Sequence, residues 1–413
     1  MIDLVIKNSR LIGKNGEYNI GVDEGKITEI TKETLKGEKT IDIKSNYLMA
    51  GFIDPHVHFR DPGLTQKEDF KSGSESAAHG GFATVIDMPN TLPKTNTYKA
   101  LKEKMNIASK KSVVNFYLQA GHNTLEEMTR MMELNPISFK VFMDLESDES
   151  LEEIFYNLGQ LKKNTSYNGL VATHCEKRSI VVEKTEELKD SNDPIDYSYA
   201  RPYISEDESV KQTIELARKN NLRLHICHLS SKNALNIARQ NNISYEFTPH
   251  HLLLDNSAYN RYGTIVKTNP PLRELSQSMR ISDIDSSTII GTDHAPHTLE
   301  EKQKGVFSSS PGIPNLETVV SLLLTEVNKG NLDLNLIEKI FSTNASKVFG
   351  LKTKGEIAVG KDADFTVVDL KREGKFDIST FKTKAEYSPF DGWEYKGAPV
   401  MTIVNGNVVF DDL

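Results

Sequence analysis

Six residues of this 413-residue chain are of reactive types and recur in a spacing that lets them act together. They are His56 and His58 in HVHFRDPG, Lys140 in FKVFM, His174 in VATHCE, His228 in LHICHLS and Asp293 in GTDHAPH. Neutral imidazole and carboxylate are the usual ligands of zinc, and a catalytic zinc site leaves a position open for water. Residues i and i+2 of a strand share a face, so the rings of His56 and His58 can enter one pocket. An HxH pair alone suits two buried, hydrogen-bonded polar residues equally well. Lys140 sits among Phe139, Val141, Phe142 and Met143. Burial there would lower its pKa and leave a neutral amine able to react with carbon dioxide; an ordinary surface lysine is the competing reading. A carboxylate such as Asp293, placed beside a metal site, can accept a proton from water and deliver it to a leaving nitrogen. A helix N-cap is the alternative for that aspartate.

A second set suits a carboxylate ligand. Arg60 lies two residues past His58, on the same face if the strand continues, and its planar fork matches a carboxylate. Asn90, in DMPN, can hydrogen-bond an amide or a carboxylate, and His297 follows Asp293 by four residues. A surface salt bridge for Arg60 and a loop cap for Asn90 compete with this reading. Strand alternation turns Cys175 and Cys227 away from the histidine face, so both are expected as barrel-wall residues. His225 is expected in the core, and His250 and His251 in structural roles.

These residues need elements that bring them to one place. The middle of the chain alternates short apolar strands, expected at 52–59, 83–88, 113–120, 138–143, 170–175, 222–229, 244–250 and 287–293, with helix-length segments such as 97–111 and 208–221. Eight such units predict a (β/α)8 barrel, whose active sites lie at the C-terminal ends of the strands. The reactive residues fall at those ends, which chance placement of histidines would not produce. Residues 1–50 and 351–413 are β-rich and turn-punctuated, predicting one small β-sandwich domain assembled from both termini around a 51–350 barrel. The segment LEEKQKGVFSSSPG, within 298–312, is expected to be a mobile lid.

Composition narrows the class. Hydrophobic residues make up 38% and charged residues 26%, as in an ordinary globular protein. A formal net charge of −8 counts against a nucleic-acid partner or an anionic membrane. The N-terminal MIDLVIKNSR lacks the apolar core of a signal peptide, so a cytoplasmic location is expected, and two cysteines are too few for a disulfide framework.

The run HVHFRDPG, DMPNT, FKVFM, HCE, TPHHL, NPPLR, GTDHAPH and GIPNLE, extending from Gly51 to the late GEIAVGKDADF segment, resembles the dihydroorotase family of the amidohydrolase superfamily. The likeness is to the variant with a lysine carbamate. It implies two zinc ions per chain, held by His56, His58, His174, His228 and Asp293 and bridged by carboxylated Lys140. It implies that Asp293 shuttles the proton, that Arg60, Asn90 and His297 anchor a carboxylate, and that Asn269, Arg273 and the backbone near Pro311 and Gly312 line the pocket. Glu246 matches a position that binds an additional zinc in some relatives. The implied reaction is the reversible cyclisation of N-carbamoyl-L-aspartate to L-dihydroorotate in pyrimidine biosynthesis. Self-association and association with aspartate transcarbamoylase are implied by analogy. Allantoinase, dihydropyrimidinase or hydantoinase activity, or a non-catalytic scaffold on the same barrel, are the rival readings.

Overall fold

A computed structural model describes residues 2–413. The chain starts with five short strands: β1 (Leu4–Leu11), β2 (Glu17–Asp23), β3 (Lys26–Thr31), β4 (Lys39–Asp42) and β5 (Tyr47–Ala50). The first three pair antiparallel, and β4 and β5 run parallel to β1. Gly51 then carries the chain into the barrel. A Cβ there would lie 2.7 Å from Ala83 and 2.8 Å from Asp364, so only glycine lets the backbone pass between the two sheets.

Eight parallel strands follow: β6 (Phe52–Val57), β7 (Phe82–Asp87), β8 (Asn115–Gly121), β9 (Ser138–Phe142), β10 (Leu170–His174), β11 (Arg223–Ile226), β12 (Ser244–Phe247) and β13 (Ile289–Ile290). They pair in sequence order, and a parallel bridge between Val57 and His294 links the two ends of the ring. β6, β7 and β10 are buried at every position, as expected of strands covered by side chains inside and helices outside. Asp69, Thr97, Ser147 and Ser231 each accept a backbone N–H at the start of a surrounding helix, and Tyr98–Lys111 and Tyr203–Lys219 match the expected helical segments.

The chain returns to the first sheet with β14 (Phe365–Lys375), β15 (Glu394–Val404) and β16 (Asn407–Asp411). β14 pairs antiparallel with β5, which joins the two termini in one mixed sheet. Its core gathers Ile6, Ile20, Val22, Leu48, Phe365, Val367 and Ile403. No helix among the described residues is long and apolar enough to cross a membrane.

Several barrel strands stop earlier than alternation predicts. Arg60, His228 and Asp293 take left-handed backbone angles, φ 61°, 37° and 47°, just past β6, β11 and β13. Non-glycine residues rarely adopt these angles, and they tend to collect at functional sites. The kinks end the ladders and re-aim the side chains at the barrel mouth.

Candidate metal centre

A cavity of about 430 Å³ opens at the C-terminal ends of the strands. All six candidate metal ligands line it: His56, His58, Lys140, His174, His228 and Asp293. All six are buried.

The hydrogen bonds behind the imidazoles decide which nitrogens face inward. His56 Nδ1 meets Glu246 Oε1, His58 Nδ1 lies 2.7 Å from Asn90 Oδ1, and His174 Nε2 lies 2.8 Å from Glu176 Oε2. Each ring donates its outer N–H to one of these acceptors and turns a bare nitrogen into the cavity. His56 Nε2 and His58 Nε2 lie 3.4 and 3.1 Å from Asp293 Oδ1. His174 Nδ1 faces His228 Nε2 at 3.1 Å, and His228 Nδ1 has no partner. Lone pairs from four rings and one carboxylate thus converge. That donor set fits divalent metal and fits little else.

The electrostatics agree. Burial, with Asp293 opposing it, lowers the His58 pKa to about 4. Burial, reinforced by the neighbouring histidines and Lys140, holds His228 far below the usual histidine value, so both rings are neutral as ligation requires. Burial opposes charge on His56 as well, yet Glu246 and Asp293 raise its pKa to about 10. The two carboxylates create a demand for positive charge at that point, which a cation can meet.

Lys140 is 1% exposed, its Nζ donating to Cys227 Sγ at 2.8 Å and lying 5.1 Å from the Phe142 ring centre. This corrects the expectation that Cys227 turns outward. The left-handed backbone at His228 breaks the alternation, so Cys227 and His228 both face the interior. Cys175 does point outward, against Thr173 and Thr213. His225 is a core histidine bonded to Glu246 and Ser244, and His250 and His251 are tied to Thr248. Both oxygens of Glu246 are taken, by His56, His225 and the His228 N–H. Its geometry is that of a carboxylate orienting His56.

Of the carboxylate-binding candidates, Arg60, Asn90, Asn269, His297 and Pro311 line the cavity. Arg60 is 7% exposed, donates Nε to Pro296 O, and places Nη2 3.1 Å from His297 Nε2. Burial and the cations Arg60 and Lys67 push His297 far down, so its ring is neutral. Arg273 is a correction. It lies behind the wall, bonded to Glu206, Ser230 Oγ and the Arg201 carbonyl, because a buried guanidinium needs a carboxylate and Glu206 supplies one. Gly312 also stands back from the cavity, its carbonyl held by Lys302 and Tyr387.

Sequence reasoning missed the carboxylates that brace the rings. Glu176 follows His174 by two residues, the spacing that puts both on one face, and that was the available signal. Arg201 grips Glu176 at 2.6 Å and Asp144 at 2.7 Å. Its guanidinium already supplies the cation between those carboxylates, and burial notwithstanding, Arg201 and His174 hold Glu176 at about 2.

A model of the Amidohydrolase family matches residues 47–409. A relative named dihydroorotase in Methanothermobacter thermautotrophicus is 46% identical over 414 residues, covering all of this chain and 95% of that one. Another of the same name in Methanosphaera stadtmanae is 45% identical, covering all of this chain and 97% of its own. Among solved structures, the L-hydantoinase (dihydropyrimidinase) of Arthrobacter aurescens superposes with a TM-score of 0.93 at 31% identity, covering 100% of this chain and 97% of that one.

Proposed function

The chain belongs to the amidohydrolase family, and we propose that it is a zinc-dependent dihydroorotase, interconverting N-carbamoyl-L-aspartate and L-dihydroorotate in pyrimidine biosynthesis. Arg60 carries the substrate assignment. Its guanidinium is buried at the cavity wall, and no carboxylate of the described residues pairs with it. A buried guanidinium without an anion is costly, and a substrate carboxylate supplies the missing partner. The names of the relatives support the same reading.

His56, His58, His174, His228, Asp293 and a carboxylated Lys140 would hold two zinc ions. Bound zinc supplies Lewis-acid polarisation of a carbonyl and makes water nucleophilic near neutral pH. Arg60, with Asn90 and His297, holds the carboxylate and turns the ring amide toward the histidines, so that reacting atoms meet in one orientation. In hydrolysis, water attacks the amide carbonyl. The Asp293 carboxylate takes the proton of that water and passes it to the ring nitrogen as the C–N bond breaks. Ring closure runs the steps backward, with water lost. The same reading takes residues 51–350 as the catalytic unit and 1–50 with 351–413 as its companion. It includes a cytoplasmic location, self-association and a contact with aspartate transcarbamoylase.

Turnover of dihydroorotate, dihydrouracil and hydantoin tests the assignment. Dihydroorotate should be strongly preferred, since neutral rings leave Arg60 unpaired. Arg60→Ala should raise KM for dihydroorotate about 10- to 100-fold with metal content unchanged, the loss of one charge-assisted contact. A preference for hydantoin, or an Arg60→Ala enzyme with the parent's KM, would transfer the protein to the hydantoinase side of the family.

Glu176 gives a separate check on the centre. Glu176→Ala should weaken zinc binding about 10- to 100-fold, because the His174 ring loses the acceptor that sets its tautomer. Glu176→Gln keeps an acceptor oxygen and should lose less. Competition with a chromophoric chelator measures both; equal affinities for the parent and Glu176→Ala would sink the bracing role.

A further inference from the structure

We infer that Lys267 and Lys302 are positioning residues, whose two buried side-chain amino groups draw the 303–312 segment onto the barrel mouth and so set the wall of the cavity at Pro311. The segment forms no strand or helix, and its backbone carbonyls need donors from elsewhere. Lys267 Nζ donates to Val306 O at 2.7 Å and Ser309 O at 2.6 Å. Lys302 Nζ donates to Ser310 O, Gly312 O and Lys267 O, each at 3.0 Å. Four carbonyls of one segment therefore end on two side-chain amino groups.

Both lysines are buried, at 2% and 0% exposure, and no carboxylate of the described residues pairs with either. Burial lowers the Lys267 pKa to about 7, and burial beside Lys267 holds Lys302 well below the usual lysine range, so the carbonyls take the place of water as acceptors for these N–H groups. Aromatic rings close the remaining sides. The Tyr197 ring centre lies 4.1 Å from Lys267 Nζ and the Tyr387 ring centre 5.4 Å from Lys302 Nζ.

Each ring leads to the cavity wall. The Tyr197 hydroxyl donates to Asn269 Oδ1 at 2.7 Å, and the Tyr387 hydroxyl donates to Gly312 O at 2.9 Å. The Gly312 N–H returns to Lys267 O at 2.8 Å, and His297 Nε2 lies 3.0 Å from Pro311 O. Gly312 has φ 150°, and a Cβ there would lie 2.2 Å from Ala295 O, so the fit at the wall leaves no slack. The 306–312 part of the segment expected to be a mobile lid is thus tied to the barrel mouth.

The pinning stands on these contacts alone; its effect on substrate rests on the proposed dihydroorotase reading. Lys267→Met and Lys302→Met keep the apolar stem and remove the N–H donors. Each should speed proteolytic cleavage within 303–310 at least about 10-fold, since cleavage tracks the population of the open segment. Each should raise KM for dihydroorotate by a similar factor while kcat changes less than about threefold and bound zinc is retained. Hydrogen exchange on the unsubstituted protein covers the case of variants that fail to fold. The amides of Ser309, Ser310 and Gly312 should then be protected, and exchange at the rate of an unstructured peptide would overturn the inference. Folded variants with an unchanged cleavage rate would overturn it too, and faster cleavage with an unmoved KM would overturn the positioning role. Failure of the parent to turn over dihydroorotate would strike the proposed function, leaving exchange and cleavage to decide the pinning.

Discussion

Asp293→Asn is expected to lower kcat at least about 100-fold in both directions while the protein stays folded. The substitution keeps the size of the side chain and its capacity for hydrogen bonds. It removes the one property the proposed chemistry needs, a carboxylate that accepts a proton from water and returns it to nitrogen. Position supports the choice. Asp293 Oδ1 lies within 3.1 and 3.4 Å of two inward-facing histidine nitrogens, so this carboxylate sits where the reacting atoms must meet. Its left-handed backbone, at φ 47°, turns the side chain into the cavity past the end of β13. Despite burial, His56 and the hydrogen bond from His58 hold its pKa low, which keeps it ready as an acceptor. Steady-state kinetics with zinc measured on the same preparation give the readout. A zinc-loaded Asp293→Asn enzyme with near-parent kcat would move the proton to another group. Asp144 and Glu146, the other carboxylates lining the cavity, would then be the ones to replace.

The barrel was legible because its signals are local. Each strand is a short apolar run and several of the helices that follow carry their own cap, while His56, His174, His228 and Asp293 sit at or just past the ends of such runs and Lys140 within one. Ring closure and the pairing of β5 with β14 follow from that order. Non-local facts stayed hidden. Cys227 faces inward because one residue, His228, leaves the extended region, and alternation has no means of marking where that happens. Arg273 looked like a pocket residue until its partner, Glu206, placed 67 positions away, took its guanidinium. Glu246 stood out in the sequence only as a match to an additional zinc position and Glu176 not at all, and their work as braces depends on which ring nitrogen they meet. Lys267 and Lys302 were invisible for the same reason, since backbone carbonyls carry no sequence signature.

Lys140→Ala is expected to abolish activity and paired metal binding together, the largest effect proposed for a single substitution. Unmodified, the Lys140 side chain brings only donors to a place crowded with imidazoles, and its Nζ finds a cysteine sulfur and an aromatic ring. Two zinc ions add four positive charges, against which the four neutral rings offer none and Asp293 offers one negative charge. An ammonium there would be repelled, and a neutral amine has a single lone pair for two metals. Reaction of the amine with carbon dioxide forms an N–C bond and releases one proton, turning the side chain into an anion with two oxygen donors. The charge deficit would shrink, and the carbamate oxygens would give the metals an anionic ligand. Alanine removes all of this while leaving the buried position apolar, so the barrel should fold and zinc analysis should show the pair lost. A short carboxylic acid in the medium can stand in for the missing anion and should restore part of the activity. A crystal structure of the zinc-loaded enzyme should carry density for one carboxyl group beyond Nζ. A bare Lys140 beside two bound zinc ions would defeat the bridging role, and Asp144 would be a poor replacement, because Arg201 already holds its carboxylate at 2.7 Å.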